Sequence, residues 1–453
     1  MKLTIIGGGG FRVPQVFEAV AAAGAPVVID ELCLYDTSTS RLGTIRAVID
    51  QLSESTARRP VVSTTNDLDE ALAGANFVFS AVRIGGTEGR ILDERTALDL
   101  GVLGQETVGP GGLAYALRTV PFMERLARRI REVAPEAWVI NFTNPAGIVT
   151  EAMRSILGDR VVGICDTPIG LMRRAAAAVA PLAGTSDAPL RFDYVGLNHL
   201  GWLRSLEVGG VDRLPDLLAS DSALADIEEA RLMGFDWVRA IGALPNEYLY
   251  YYYFTREATE RISASEATRG QFLDVQQRAF FDAPGDDPLS SWLRTRHERE
   301  SSYMAESRPE GEEGERHASD VDAGGYQQVA LDLMAALATG RSSTMILNIA
   351  NAGLVPALPD DAVIEVGCTV DASGVHPWPI ADVTGEMAGL MTTVKSAERL
   401  VIEATRAAGG RSRELAWRAF AAHPLVDSVG VAKSLVQDYG ERFDSIGRLF
   451  DGR

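Results

Sequence analysis

Five short apolar runs, each followed by a stretch that is helical or punctuated by turn residues, occupy the first 170 positions of the chain. They are KLTIIGG (2–8), ELCLYD (31–36), NFVFSAV (76–82), AWVINFT (137–143) and RVVGIC (160–165). Continuous apolar runs of this length suit strands buried on both faces, and the intervening helices supply the cover. The pattern therefore predicts an α/β fold built on a doubly wound parallel sheet. The helical stretch LAYALRTVPFMERLARRIREVA (113–134) is one such cover. Past about residue 170 helices dominate, with strand-like pieces at 191–208 and 361–371. The polar, charged stretch 307–325 reads as an exposed loop.

The first strand runs directly into four glycines, TIIGGGGFRVP. Gly7 and Gly9 fit the first two glycines of a dinucleotide fingerprint, where a strand turns sharply into a helix whose N-terminus can face a pyrophosphate. Arg12 stands where a third glycine would be, and Pro14 suits the first helical turn. Asp36 ends the second strand, where a carboxylate can take ribose hydroxyls and would repel a 2′-phosphate, which favours NAD. A plain glycine turn with a surface aspartate is the simpler alternative. The combination predicts a Rossmann-type domain over 1–170 and a second, α+β domain over 171–453, because 453 residues exceed one ordinary core.

Composition narrows the partners. A formal net charge of −19 argues against a nucleic-acid partner, which would need a basic face. No apolar run is long enough to span a bilayer, and MKLTIIGGGG lacks a signal-peptide layout, so a cytoplasmic location is expected. The three cysteines, Cys33, Cys165 and Cys368, form no CxxC and suggest no disulfide framework.

Four further pieces carry chemistry at strand ends or in tight loops: NFTNPAG with Asn141 and Asn144, GICDTP with Cys165 and Asp166, GLNHLGW with Asn198 and His199, and PNEYLYYYYF with Tyr248. The carboxyl ends of parallel strands face the ligand crevice. Cys165 and His199 make a plausible two-ligand divalent-metal site, completed by substrate oxygens and water. Each also reads as an ordinary buried residue, and their spacing does not decide. Most of the tyrosines read as packing, while one beside a cation could act as a base.

The motifs VRIGGTEGRILDE, GQETVGPGGLAYALRTVP, NFTNPAGIVTEA, GICDTP, VGLNHLGW, ALPNEYLYYYY, LNIANAGLVPALPDDAVIEVGCTVD and HPWP occur in this order along the chain. Together with IIGGGG they resemble glycoside hydrolase family 4, the NAD- and manganese-dependent glycosidases, and most closely its 6-phospho-β-glucosidase branch. The resemblance implies a lactate/malate-dehydrogenase-like second domain that also serves oligomerisation, and a homodimer or homotetramer. It implies NAD+ and a divalent metal, Mn2+, as cofactors and a small 6-phosphorylated glucoside as substrate. The reaction it implies is oxidation at sugar carbon 3, metal-assisted elimination, water addition and re-reduction, rather than two-carboxylate hydrolysis. By the same resemblance Cys165 and His199 hold the metal, Tyr248 is the base and Asp166 the leaving-group acid. Gly7, Gly8, Gly9, Gly10, Phe11, Arg12, Asp36, Val82, Arg83 and Asn144 contact the cofactor, and Arg90, Asn144 and Asn198 the substrate.

The chain departs from the branch pattern at three places. Ala323 replaces an arginine before a Gly-Gly pair, leaving Arg316 or Arg12 as candidate anion ligands. GGGGFRVP replaces a serine–tyrosine turn. Aspartate follows Cys165, as in the α-acting branch, where the β-acting branch often has asparagine. The alternatives are therefore an α-acting or unphosphorylated-sugar member of the family, a lactate- or malate-type dehydrogenase, and an NAD-sensing protein without turnover.

Overall fold

The computed structural model describes residues 1–183, 190–303 and 325–452, so Arg316 and Ala323 and most of the polar stretch 307–325 lie outside the described residues. Strands β1 (Lys2–Ile6), β2 (Glu31–Tyr35), β3 (Val61–Thr65), β4 (Phe77–Ser80), β5 (Trp138–Asn141) and β6 (Val161–Gly163) pair in parallel, in the order 3-2-1-4-5-6. That order is the Rossmann arrangement, whose ligand crevice opens at the carboxyl ends of the strands. Strand β3 has no core-like apolar run, because at the sheet edge its residues stay partly exposed.

The sheet does not stop at β6. It continues through β11 (Ser343–Ala350), β12 (Val363–Asp371), β7 (Leu190–Leu197), β8 (Leu200–Val208) and β10 (Leu244–Pro245), all antiparallel to their neighbours. Short strands β9 (Val211–Asp212) and β13 (Gly374–Pro377) pair with β8 and β12. A Rossmann half and an α+β half thus share one sheet, and the principal core runs from Leu3 through Val366. The tyrosine run is helical, a single 3-10 turn at Glu247–Leu249 followed by Tyr250–Tyr253. No helix among the described residues is long and apolar enough to cross a membrane.

The C-terminal helices Gly385–Arg406, Gly410–Ala422, Val429–Arg442 and Asp444–Asp451 pack back on Gly86–Asp99 and Gly109–Val133 of the first half. A buried ion pair pins this layer. Arg118 grips Asp93 with two hydrogen bonds of 2.7 Å, lies over the Phe443 ring at 3.9 Å, and the Asp93 carbonyl accepts from Tyr439 Oη. Burial raises the Asp93 pKa to about 6, outweighing the pull of Arg118. Arg118→Met strands that carboxylate and is expected to cost about 3–5 kcal/mol at pH 8. A raised carboxyl pKa means the native state binds the proton more tightly than the unfolded chain, so this contribution falls as pH climbs from the unfolded value through the native one. Losing Arg118 removes the one strong pull downward and raises the Asp93 pKa further, so the variant loses more than the wild type as pH rises, and urea unfolding should show a smaller deficit at pH 5 than at pH 8. A pH-independent deficit would point to lost packing instead.

Candidate active site

The glycine turn has the shape the sequence predicts. Gly7 has φ +92°, and a Cβ there would lie 2.6 Å from the Ala81 carbonyl oxygen. A Cβ on Gly9 would crowd Asp36 and Arg41, so Gly9 serves the approach of β2 as much as any ligand. The Gly7 and Gly8 N–H groups donate to the Tyr35 carbonyl, and Gly10 N–H to that of Gly7. Asp36 accepts from Gly9 N–H at 3.1 Å and Ser38 N–H at 2.9 Å, which fixes its carboxylate beside the turn. The helix Val13–Ala21 opens after Arg12, whose side chain does not cap it.

The ends of β4, β5 and β6 lie side by side and deliver the next residues. Val82 N–H donates to Thr143 Oγ1 at 3.0 Å, and Asn144 Oδ1 accepts from Ala146 N–H at 3.3 Å. Arg83 pairs with Glu106, and Arg90 donates to the other oxygen of Glu106 at 2.6 Å and to Glu94 at 2.7 Å. Arg90 is therefore buried between two carboxylates, Glu94 and Glu106. Burial disfavours the Glu106 carboxylate, but the two guanidiniums outweigh it and bring its pKa down to about 2.

Cys165 and His199 reach one site along a chain of contacts. Cys165 Sγ meets Thr167 Oγ1 at 3.5 Å, which accepts from Asn246 Nδ2 at 2.8 Å, while Asn246 Oδ1 accepts from Tyr248 N–H. The Tyr248 ring stacks on His199 with centroids 3.7 Å apart and planes 8° from parallel. His199 closes the two-residue turn between β7 and β8 at φ +65°, a left-handed conformation that costs a non-glycine residue about 1–3 kcal/mol and is typical of functional sites.

The protonation pattern suits a cation. Burial holds the His199 pKa down at about 3 against the pull of Glu106, so the ring is neutral. Thr107 and Val108 backbone N–H groups donate to Gln105 Oε1, fixing that oxygen toward Thr107. The Thr107 hydroxyl donates to it as well and must accept from His199 Nδ1–H at 3.0 Å, which leaves Nε2 with the free lone pair. Burial, then Glu365 and Asp166, push the Cys165 thiol well above its usual value, so a thiolate there needs a positive partner. Among the described residues no three His, Cys, Asp or Glu converge as a metal cage. A metal held by Cys165 and His199 would need further oxygens from outside the protein, as a substrate-binding ion does.

Several residues at this site carried no sequence signal beyond their motifs. Glu106 and Thr107 lie inside GQETVGPGG. Tyr303 Oη stands 3.2 Å from Tyr248 Oη and donates to Glu247 at 2.7 Å. Glu365 is fully buried in β12, accepting from Asn348 at 2.8 Å, Tyr194 at 3.1 Å and Asn198 at 3.5 Å. Burial outweighs those donors and lifts its pKa to about 7. A lone acid in the apolar run AVIEVGC was the mark that could have found it. Asp166 is half-buried, and its charge acts on Arg12 of the cofactor turn.

Residues 2–180 match the model of the family 4 glycosyl hydrolases, and residues 194–426 match that of the family 4 C-terminal domain. The chain belongs to glycosyl hydrolase family 4. The 6-phospho-beta-glucosidase of Thermotoga maritima is 30% identical, over 97% of both chains. Its structure with manganese, NAD+ and glucose-6-phosphate superposes with a TM-score of 0.79 at 27% identity, covering 100% of both chains. A 6-phospho-alpha-glucosidase from gut microorganisms, in complex with NAD and Mn2+, gives 0.78 at 25% identity over 98% of both chains. Family 4 membership displaces the dehydrogenase alternative, and relatives of both anomeric types lie at similar distance.

The strained turn gives a direct test of the His199 geometry. Glycine accepts φ +65° without penalty and alanine does not, so His199→Gly should be more stable than His199→Ala by about 1 kcal/mol, reversing their usual order. Denaturant unfolding of the two variants measures this. Equal stability would mean the turn relaxes when the ring is removed.

Proposed function

We propose that this family 4 enzyme hydrolyses 6-phospho-β-glucosides, using NAD+ and a divalent metal, Mn2+, both as cofactors. The carrying observation is the convergence of Cys165, neutral His199 and Tyr248 beside a dinucleotide turn. When bound, NAD+ supplies reversible oxidation at sugar carbon 3, and the divalent ion polarises the carbonyl formed there. Gly7–Arg12, Asp36, Val82, Arg83 and Asn144 are the proposed cofactor contacts, within a cofactor half ending near residue 170. Cys165 and His199 Nε2 are the metal donors, and Arg90, Asn144 and Asn198 the substrate contacts.

Tyr248 Oη takes the proton from carbon 2. Burial and neighbouring Glu247 push this phenol well above its usual value, so it works as a base only beside a cation. Stacking on a metal-bound His199 would hold it there. Asp166, at the end of the strand that carries Cys165, donates a proton to the departing oxygen.

The Cys165–Asp166 step favours a second reading, an α-acting 6-phosphoglucosidase. Purified enzyme with p-nitrophenyl α- and β-glucoside 6-phosphates and their unphosphorylated forms separates the two. Nitrophenol release should need both NAD+ and Mn2+ and leave no net NADH. Release that survives verified removal of NAD+ would overturn the chemistry. Cys165→Ser should lose metal dependence and at least about 100-fold in rate. Asp166→Asn should slow alkyl glucoside phosphates by about 100-fold but nitrophenyl ones far less, because nitrophenolate departs without a proton. Equal loss on both leaving groups would take the acid role from Asp166.

A further inference from the structure

The cofactor turn is held from outside by the helix Pro288–Ser301 and the start of the helix Tyr326–Thr339. Trp292 Nε1 donates to the Phe11 carbonyl at 2.9 Å, Tyr326 Oη to the Arg12 carbonyl at 2.7 Å, and Gln15 Nε2 to Glu300 at 3.1 Å. This packing brings Arg299 over the Phe11 ring, 5.9 Å from its centroid. Arg269 donates to the Arg299 carbonyl, and the next residue, Gly270, donates to the Glu94 carboxylate that also holds Arg90.

Five guanidiniums, those of Arg12, Arg83, Arg90, Arg269 and Arg299, therefore crowd one side of the site. The facing acids are Glu94, Glu106 and Asp166. Glu94 and Glu106 are chelated by Arg90 and Arg83, and nearby Glu300 is held by Arg296 and Gln15. Arg299 is half-buried, and its guanidinium meets no acceptor among the described residues. Burial first, then the charges of Arg12, Arg269, Arg90 and Arg83, push its pKa well below the usual arginine value. A partly desolvated cation among like charges weakens the fold unless something anionic completes the cluster. In a chain of net charge −19, such a local surplus of positive charge stands out.

We infer that Arg299 is the specificity-determining receptor for the anionic group on carbon 6 of the sugar. This rests on the phosphoglucosidase reading above. It puts the charge that Ala323 cannot supply on a helix that also braces the cofactor turn. A guanidinium can hold a phosphate through two parallel N–H donors, which a lysine cannot match.

The test uses the enzyme and its Arg299→Met and Arg299→Lys variants. Glucose 6-phosphate, glucose, inorganic phosphate and NAD+ are titrated separately by calorimetry, and melting is followed without ligand. Arg299→Met should weaken glucose 6-phosphate by about 10- to 100-fold while leaving glucose and NAD+ unchanged. It should also raise the melting temperature of the free enzyme, because a like-charge clash is removed, which a merely structural arginine would not do. Arg299→Lys should recover part of the affinity. Unchanged glucose 6-phosphate binding in Arg299→Met, or a loss confined to NAD+, would overturn the assignment, the latter making Arg299 a pyrophosphate ligand. If the wild-type enzyme itself binds glucose no more weakly than glucose 6-phosphate, the phosphoglucosidase reading falls first.

Discussion

The close contact of β6 with β11 is the constraint on which the rest of the structure depends. The two strands meet at one register pair, Gly163 opposite Asn348. A Cβ on Gly163 would lie 2.4 Å from Thr150 Oγ1 and 2.8 Å from the Asn348 Cβ, so only glycine lets the antiparallel half close on the parallel one. Two residues after that glycine comes Cys165. The same approach delivers Asn348 and, through it, the buried carboxylate of Glu365. A site assembled from both halves thus depends on one residue lacking a side chain.

Around this junction, burial sets the protonation states and the ion pairs divide the space. Burial keeps His199 neutral and Cys165 a thiol, so neither carries charge by itself. Glu106 is held ionised between Arg83 and Arg90 and offsets their charge, and Asp166 offsets that of Arg12, which leaves Arg299 the less compensated cation. Positive and negative functions are separated by only a few side chains, which the low-dielectric surroundings make energetically significant.

Much of this was legible before any coordinates. The apolar runs of β1, β2, β4, β5 and β6 marked the parallel sheet, and Gly7 to Gly10 marked the tight turn after β1, since both signals are local. Edge strand β3 and strand β11 were not read, the first because exposed residues blur the pattern. The resemblance marked Arg90 as a substrate contact. Its partner Glu94 lies one turn on in the same helix and is local, whereas Glu106 arrives only once Gly86–Asp99 lies against the GQETV loop. Tyr248 was one ring among five tyrosines until the stack on His199 singled it out.

By itself the sequence determined the alternation of strands and helices, the glycine turn with its following helix, and the residue types at each strand end. These follow from side-chain period and backbone φ preferences, which act over a few residues. Tertiary structure alone decided that the sheet runs unbroken past β6, that His199 rests on Thr107 92 positions away, and that Trp292 closes on Phe11 across 281. Contacts of that separation are selected by the packing of whole layers, and no local pattern encodes which distant side chain will arrive.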